Sequence, residues 1–385
     1  MKDEFDVAGT PRTLGLSNAV AETHKLTNTT TSLCVQRLID AGMLCIGKTN
    51  MHELGLDTTN NNPHHGIPVN PYNADFYTGG SSGGSGAAVS SGLVPIAVGA
   101  DGGGSIRLPS SYCGIFGLKP SHNLIPITPT PCIAPSVGVA GPMTAHLSDL
   151  ATTLHIMAAN APAAPSPTRK FLGIYEPWFD SASPAVQQHT RAAVDTYVSL
   201  GWEVVPITIP HVLLARTAHA LTILTEISSA LSQNSSGLSA PNKLLFSVAR
   251  QTPARDFVLA QRLRSLLMSH FASLWEKYPG MVVVSPVTPM VGVRKEKGCE
   301  GGVSDSDRSL SSMLYVFVAN FCGCPAGTGT VGYDEESGMP VGLMGMAEWG
   351  EEERVLEWLG EWEGRWEGRR RGEGWVDVLG MAKAK

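Results

Sequence analysis

GGSSGGSGAAVSSGLVPIAVGADGGGSIRLPSSYCGIFGLK, residues 79–119, is the stretch on which the reading of the fold turns. It contains two clusters of small residues, Gly79 to Ser85 and Asp101 to Arg107, separated by a run that reads as helix then strand. A flexible linker would continue in glycine and serine, whereas each cluster here passes straight into apolar chain, Ala87 to Val98 and Ile106 to Leu118. The polar parts are therefore tied to a core. Glycine allows positive φ and close backbone approach, and successive free N–H groups can converge on one anionic atom, as in an oxyanion hole. Ser105, following three glycines, is the best-placed nucleophile, and the stretch reads as the floor and nucleophile loop of an active site.

Working outward, residues Met1 to Ser17 read as loop, Ser32 to Ala41 has helical spacing with Gly42 as its C-cap, and Met43 to Ile46 predicts a short buried strand. GMLCIGKT from Gly42 to Thr49 matches a phosphate-binding pattern in letters only, because a helix precedes it and its variable positions are bulky. A second decoy, Gly327 to Gly332, fits G-x-G-x-x-G but runs into a polar turn. His64 and His65 lack a spaced third ligand and read as surface loop.

On the other side, Ser148 to Ala158 reads as a helix, and the proline-rich Ala161 to Thr168 is the best candidate for a break. Strand Phe171 to Tyr175, helix Pro184 to Leu200 and strand Trp202 to Ile209 follow, then a long helix from Arg255 to Tyr278 and a buried strand from Met281 to Val284. This order predicts an α/β fold with a mixed central sheet covered by helices on both faces. The expected division is a catalytic domain over residues 1–348 and a Trp-, Glu-, Gly- and Arg-rich tail over 349–385, an amphipathic helix packed on the body.

Composition narrows the function. With 385 residues, 43% of them apolar, the chain can bury a large core, and a net charge of −6 argues against nucleic acid or an anionic membrane as the main partner. There is no run of eighteen apolar residues, and MKDEFD is charged where a secretory signal needs an apolar core, so the expectation is a cytoplasmic protein. Seven cysteines without a C-x-x-C pair read as reduced thiols, and neither metal nor cofactor is expected. No G-x-S-x-G elbow surrounds Ser105, and none of the eleven histidines lies in a comparable glycine-rich loop. The base is left open between a spatially adjacent histidine and a buried neutral lysine.

The stretch from Gly79 to Pro120 resembles the amidase signature family of serine hydrolases, through GGSSGGS, the 24 residues separating Ser81 from Ser105 in GGSIR, and the closing CGIFGLKPS. VAGTPRT, AGMLCIGKTNMHELG, GPMTAHLSDLATTLHIMA, SPVTP, ANFCGCPAG and GMPVGLM extend the resemblance along nearly the whole chain. It implies a Ser–cis-Ser–Lys triad. By motif, Ser105 is the acyl-forming nucleophile, Ser81 the bridging serine after a cis peptide, and Lys2 of the apolar-Lys-Asp segment the base. The N–H groups of Gly102, Gly103, Gly104 and Ser105 are implied to hold the oxyanion, with Ser82, Asp101 and Arg107 bracing the loop or meeting the substrate.

The implied reaction is hydrolysis of a small-molecule carboxamide, with a homodimer left open. Several dozen residues usually precede the family's lysine and only Met1 does here. That predicts a truncated form or a downstream start, with Lys2 unanchored, solvated and mobile. Two alternatives stay open: a catalytically impaired amidase-fold protein with a binding role, and an amidotransferase-type amidase subunit needing a partner.

Overall fold

The computed structural model describes residues 1–23, 30–159, 169–231, 237–298, 302, 304–365, 368, 370–372 and 375–376. The proline-rich connector between Ala161 and Thr168 lies outside the described residues, as does Trp366 of the tail pattern.

The first half of the described chain runs α1 (Asn18–Thr23), α2 (Leu33–Asp40), α3 (Gly83–Ser90), β1 (Ile96–Asp101), α4 (Arg107–Tyr112), β2 (Phe116–Lys119), β3 (Val139–Thr144) and α5 (Leu147–Ala158). The second half runs β4 (Phe171–Ile174), α6 (Glu176–Asp180), α7 (Pro184–Ser199), β5 (Glu203–Pro206), α8 (Val212–Ala230), α9 (Ala240–Ala249), α10 (Ala254–Lys277), β6 (Val282–Pro286), α11 (Ser306–Ser312), α12 (Phe317–Cys322), β7 (Ala326–Tyr333), β8 (Pro340–Met346) and α13 (Glu352–Glu363).

The strands form one mixed sheet in the order β1-β3-β2-β7-β8-β6-β4-β5. Its β4 pairs are parallel to β5 and β6, and the remaining neighbours are antiparallel. Side-chain alternation splits the core between the two faces: Val282 and Val284 of β6 pack on one side with α2, α5, α7 and α13, while Val283 packs on the other with α8, α10 and α12. Helices therefore cover both faces, as the strand–helix order predicts. Pro184 opens α7 in its first turn, where the missing N–H costs nothing.

Two expectations fail. Met43 to Ile46 is not a buried strand: Leu44 is 88% and Ile46 75% exposed, and no strand is assigned there. An apolar run of four carries no period that separates strand from loop, and Gly42 at φ +91° turns the chain off α2 and away from the sheet. Lys2 is not solvated either, for reasons that belong to the site.

Candidate active site

β1 ends at Asp101, and the loop Gly102 to Ile106 lies between that strand and α4. Asp101 organises the loop. Its buried carboxylate accepts from the N–H groups of Gly104 at 2.7 Å and Ile106 at 3.0 Å, from Arg107 Nη2 at 3.0 Å and Nε at 3.1 Å, and from Asn320 Nδ2 at 2.9 Å. Burial alone would raise this carboxyl, but the Arg107 guanidinium and the converging N–H donors hold it well below the usual carboxylate range. Arg107, itself fully buried, also donates to Val316 O at 2.8 Å and Asn320 Oδ1 at 2.6 Å. Asp101 and Arg107 thus brace the loop from beneath. The Gly104 N–H is spent on Asp101, which leaves Gly102, Gly103 and Ser105 as the loop residues whose N–H groups have no partner among the described residues.

The other cluster sits at the N-terminus of α3. The Gly80–Ser81 peptide is cis. Gly84 lets the helix start approach Asn50, where a Cβ would lie 2.5 Å from the Asn50 carbonyl oxygen. Ser82 N–H donates to Ser105 O at 3.3 Å, and Ser82 Oγ donates to Ala100 O at 3.2 Å. These bonds fasten the two clusters to each other.

Lys2 is 1% exposed. Its backbone lies along the free edge of β1, donating to Val98 O at 2.9 Å and forming a parallel bridge with Thr49. The side chain then passes inward, and Nζ donates to Ser81 Oγ at 2.9 Å and Ala100 O at 3.2 Å, with the Glu4 carboxylate 3.2 Å away. The sheet edge and Thr49 anchor the segment, which is why Lys2 is neither solvated nor loose. Lys48, of the phosphate-pattern decoy, donates to the carbonyls of Phe5 at 2.7 Å and of Asp3 and Pro11 at 3.3 Å, so it closes the loop that carries Lys2. Gly327 to Gly332, the other decoy, lies inside β7.

Two cavities meet at Ser105. One of about 40 Å³ is lined by Lys2, Glu4, Ser81, Gly102, Ser105 and Cys132. The other, of about 170 Å³, is walled mainly by Ile223, Leu224, Leu245, Leu310 and Met313. The structure therefore gathers Lys2, Ser81, Ser82, Gly102, Gly103, Gly104, Ser105, Asp101 and Arg107 into one region. Such a set can accept a proton at an amine, pass it across a hydroxyl, and offer N–H donors to a developing negative charge.

Sequence reading missed His219 on α8 and Asn320 on α12. His219 donates from Nε2 to Gly102 O at 2.8 Å, and burial pushes its imidazole down to about 4. No local motif marks either residue. His64, predicted on the surface, is half-buried and joined at 3.1 Å to the buried Glu53, whose carboxylate also accepts from Asn242 at the start of α9.

The family model described as Amidase matches residues 1–356. A fatty acid amide hydrolase of Medicago truncatula is 34% identical over 411 aligned residues, covering 99% of this chain and 66% of that protein. The amidase-type subunit of a glutamyl-tRNA(Gln) amidotransferase from Methanospirillum hungatei is 30% identical over 365 residues, covering 84% of this chain and 83% of that protein. A solved structure described as an amidase superposes with a TM-score of 0.80 at 26% identity, over 94% of this chain and 82% of that one. The chain spans 66% of the Medicago protein's length and 57% of a fatty acid amide hydrolase from Oryza sativa.

Proposed function

The chain belongs to the amidase signature family, and from that premise we propose that it hydrolyses the C–N bond of a carboxamide through a seryl acyl-enzyme. Lys2, as the free amine, draws a proton through Ser81 from Ser105, and Ser105 Oγ attacks the amide carbonyl carbon. The carbonyl π pair moves onto oxygen, where the N–H groups of Gly102, Gly103 and Ser105 receive the charge. When the tetrahedral species collapses, the C–N bond breaks and the proton held by Lys2 returns to the leaving nitrogen. Water then attacks the acyl-enzyme by the same route in reverse, releasing carboxylate and Ser105.

The observation that carries this reading is the buried Lys2–Ser81 hydrogen bond of 2.9 Å in a cavity that Ser105 also lines. The apolar walls of the larger cavity support an acyl group that is a hydrocarbon chain, in line with the names of the plant relatives. No helix among the described residues is long and apolar enough to cross a membrane. The reading requires a small-molecule substrate and neither cofactor nor metal.

The test is hydrolysis of an apolar acyl p-nitroanilide by the 385-residue chain. Turnover should vanish in Ser105→Ala and fall about 10²–10⁴-fold in Lys2→Ala, the span expected for removing a general base. Wild-type rates in either variant overturn the assignment. No turnover by the wild type, across acyl lengths and with Ser105 inert, would leave a binding protein.

A further inference from the structure

His219 reaches the nucleophile loop from α8, 117 residues beyond the carbonyl that it holds. A carbonyl oxygen only accepts, so Nε2 carries the proton in that 2.8 Å bond. The opposite nitrogen, Nδ1, is buried without a partner. Protonating it would bury an unsatisfied N–H, and the ring is correspondingly kept neutral by its burial. Phe317 and Phe321 flank the imidazole, with ring centroids 5.9 and 6.0 Å away. The ring also lies against Gly103, where an added Cβ would come within 2.9 Å of Cε1. The imidazole therefore has one fixed orientation, and the loop fits around it.

Peptide geometry supplies the consequence. In a trans peptide the C=O and the following N–H point in opposite directions. A hydrogen bond that fixes Gly102 O on one side thus fixes the Gly103 N–H on the other. The next two peptides are already secured, since Gly104 N–H is bound by Asp101 and Ser105 O by Ser82. The Gly102–Gly103 peptide has no side chain on either flank to hold it, and glycine leaves it the widest rotational freedom. His219 supplies that hold.

We propose that His219 is a positioning residue of the oxyanion loop, acting through the Gly102 carbonyl to aim the Gly103 N–H at the oxygen that becomes negative. This rests on the reading of Ser105 as nucleophile. His219 does not touch the reacting atoms. Its contribution is the orientation of a donor that makes its strongest contact in the transition state.

The experiment measures the second-order rate of labelling by a fluorophosphonate, whose phosphoryl oxygen needs the same donors, together with kcat and KM for an acyl p-nitroanilide. His219→Leu fills the volume without a donor, and His219→Gln restores an amide N–H of comparable reach. We expect His219→Leu to slow labelling and lower kcat about 10²-fold, the order seen when one oxyanion donor is lost, with KM within about threefold of wild type. His219→Gln should recover labelling to within about tenfold of wild type. Should His219→Leu fail to fold, His219→Asn, with the same amide on a shorter arm, takes its place with the same expected loss. Undiminished labelling in His219→Leu or His219→Asn, with wild type labelled at Ser105, overturns the proposal, as does an equal loss in His219→Gln. Wild type that is not labelled at Ser105 instead removes the nucleophile assignment on which the proposal stands.

Discussion

Replacing Arg107 with methionine should show how far the site depends on one buried charge pair. Methionine fills much of the guanidinium's volume but takes away its bonds to Asp101, to Val316 O and to Asn320 Oδ1. Asp101 is left as a buried anion with only backbone and Asn320 donors. Breaking a buried pair from one side costs about 3–5 kcal/mol. Unfolding entropy of about 2.1 cal/mol/K per residue over 385 residues gives roughly 0.8 kcal/mol/K, so the melting temperature should fall by about 4–6 °C. Calorimetry and urea unfolding read the loss. Adding Asp101→Asn removes the stranded charge, and the double variant should regain more than about 1 kcal/mol over Arg107→Met. A single-variant loss below about 1 kcal/mol, or a double variant less stable than the single, would refute the account of Asp101 as an anion that needs its partner.

Two further outcomes follow from burial. The folded value of His219, about 4, lies below the unfolded value near 6.5, so between those limits the unfolded chain takes up a proton that the folded chain refuses. Stability should therefore fall with acidification through that window, by about 1.4 kcal/mol per pH unit from this residue; His219→Gln, compared with wild type by urea unfolding at pH 7, 6 and 5, should lose that part of the slope. Trp358 of α13 is stacked on Tyr197 at a centroid distance of 5.2 Å and seated against Gly345, so Trp358→Ala should cost about 3–5 kcal/mol in the same assay.

Sequence alone carried the elements whose signals are local. Pro184 announced α7, the amphipathic Leu spacing announced α10, and the valine run announced β6 within a residue or two. The two glycine clusters were legible as ligand-facing backbone, because a φ of +117° at Gly104 or the close approach of Gly84 to Asn50 leaves few other residues possible. Met43 to Ile46 misled because a short apolar run has no period of its own, and Lys2 misled because its anchor is an edge strand about a hundred positions away. His219, Asn320 and Glu53 were invisible for a related reason. A buried polar side chain is held by partners distant in sequence, and nothing in its immediate neighbours records them.

The bonds from Asn320 to Asp101 span 219 residues, and Arg107 reaches Val316 across 209. Synthesis from the N-terminus therefore makes the nucleophile loop long before its floor. A nascent chain that has emerged only as far as α10 holds Lys2, Ser81 and Ser105 but lacks the helix that caps the Asp101–Arg107 pair. The site thus matures with the last third of the chain, and fragments ending before α12 should carry an unreactive Ser105 even when β1 and α3 have formed.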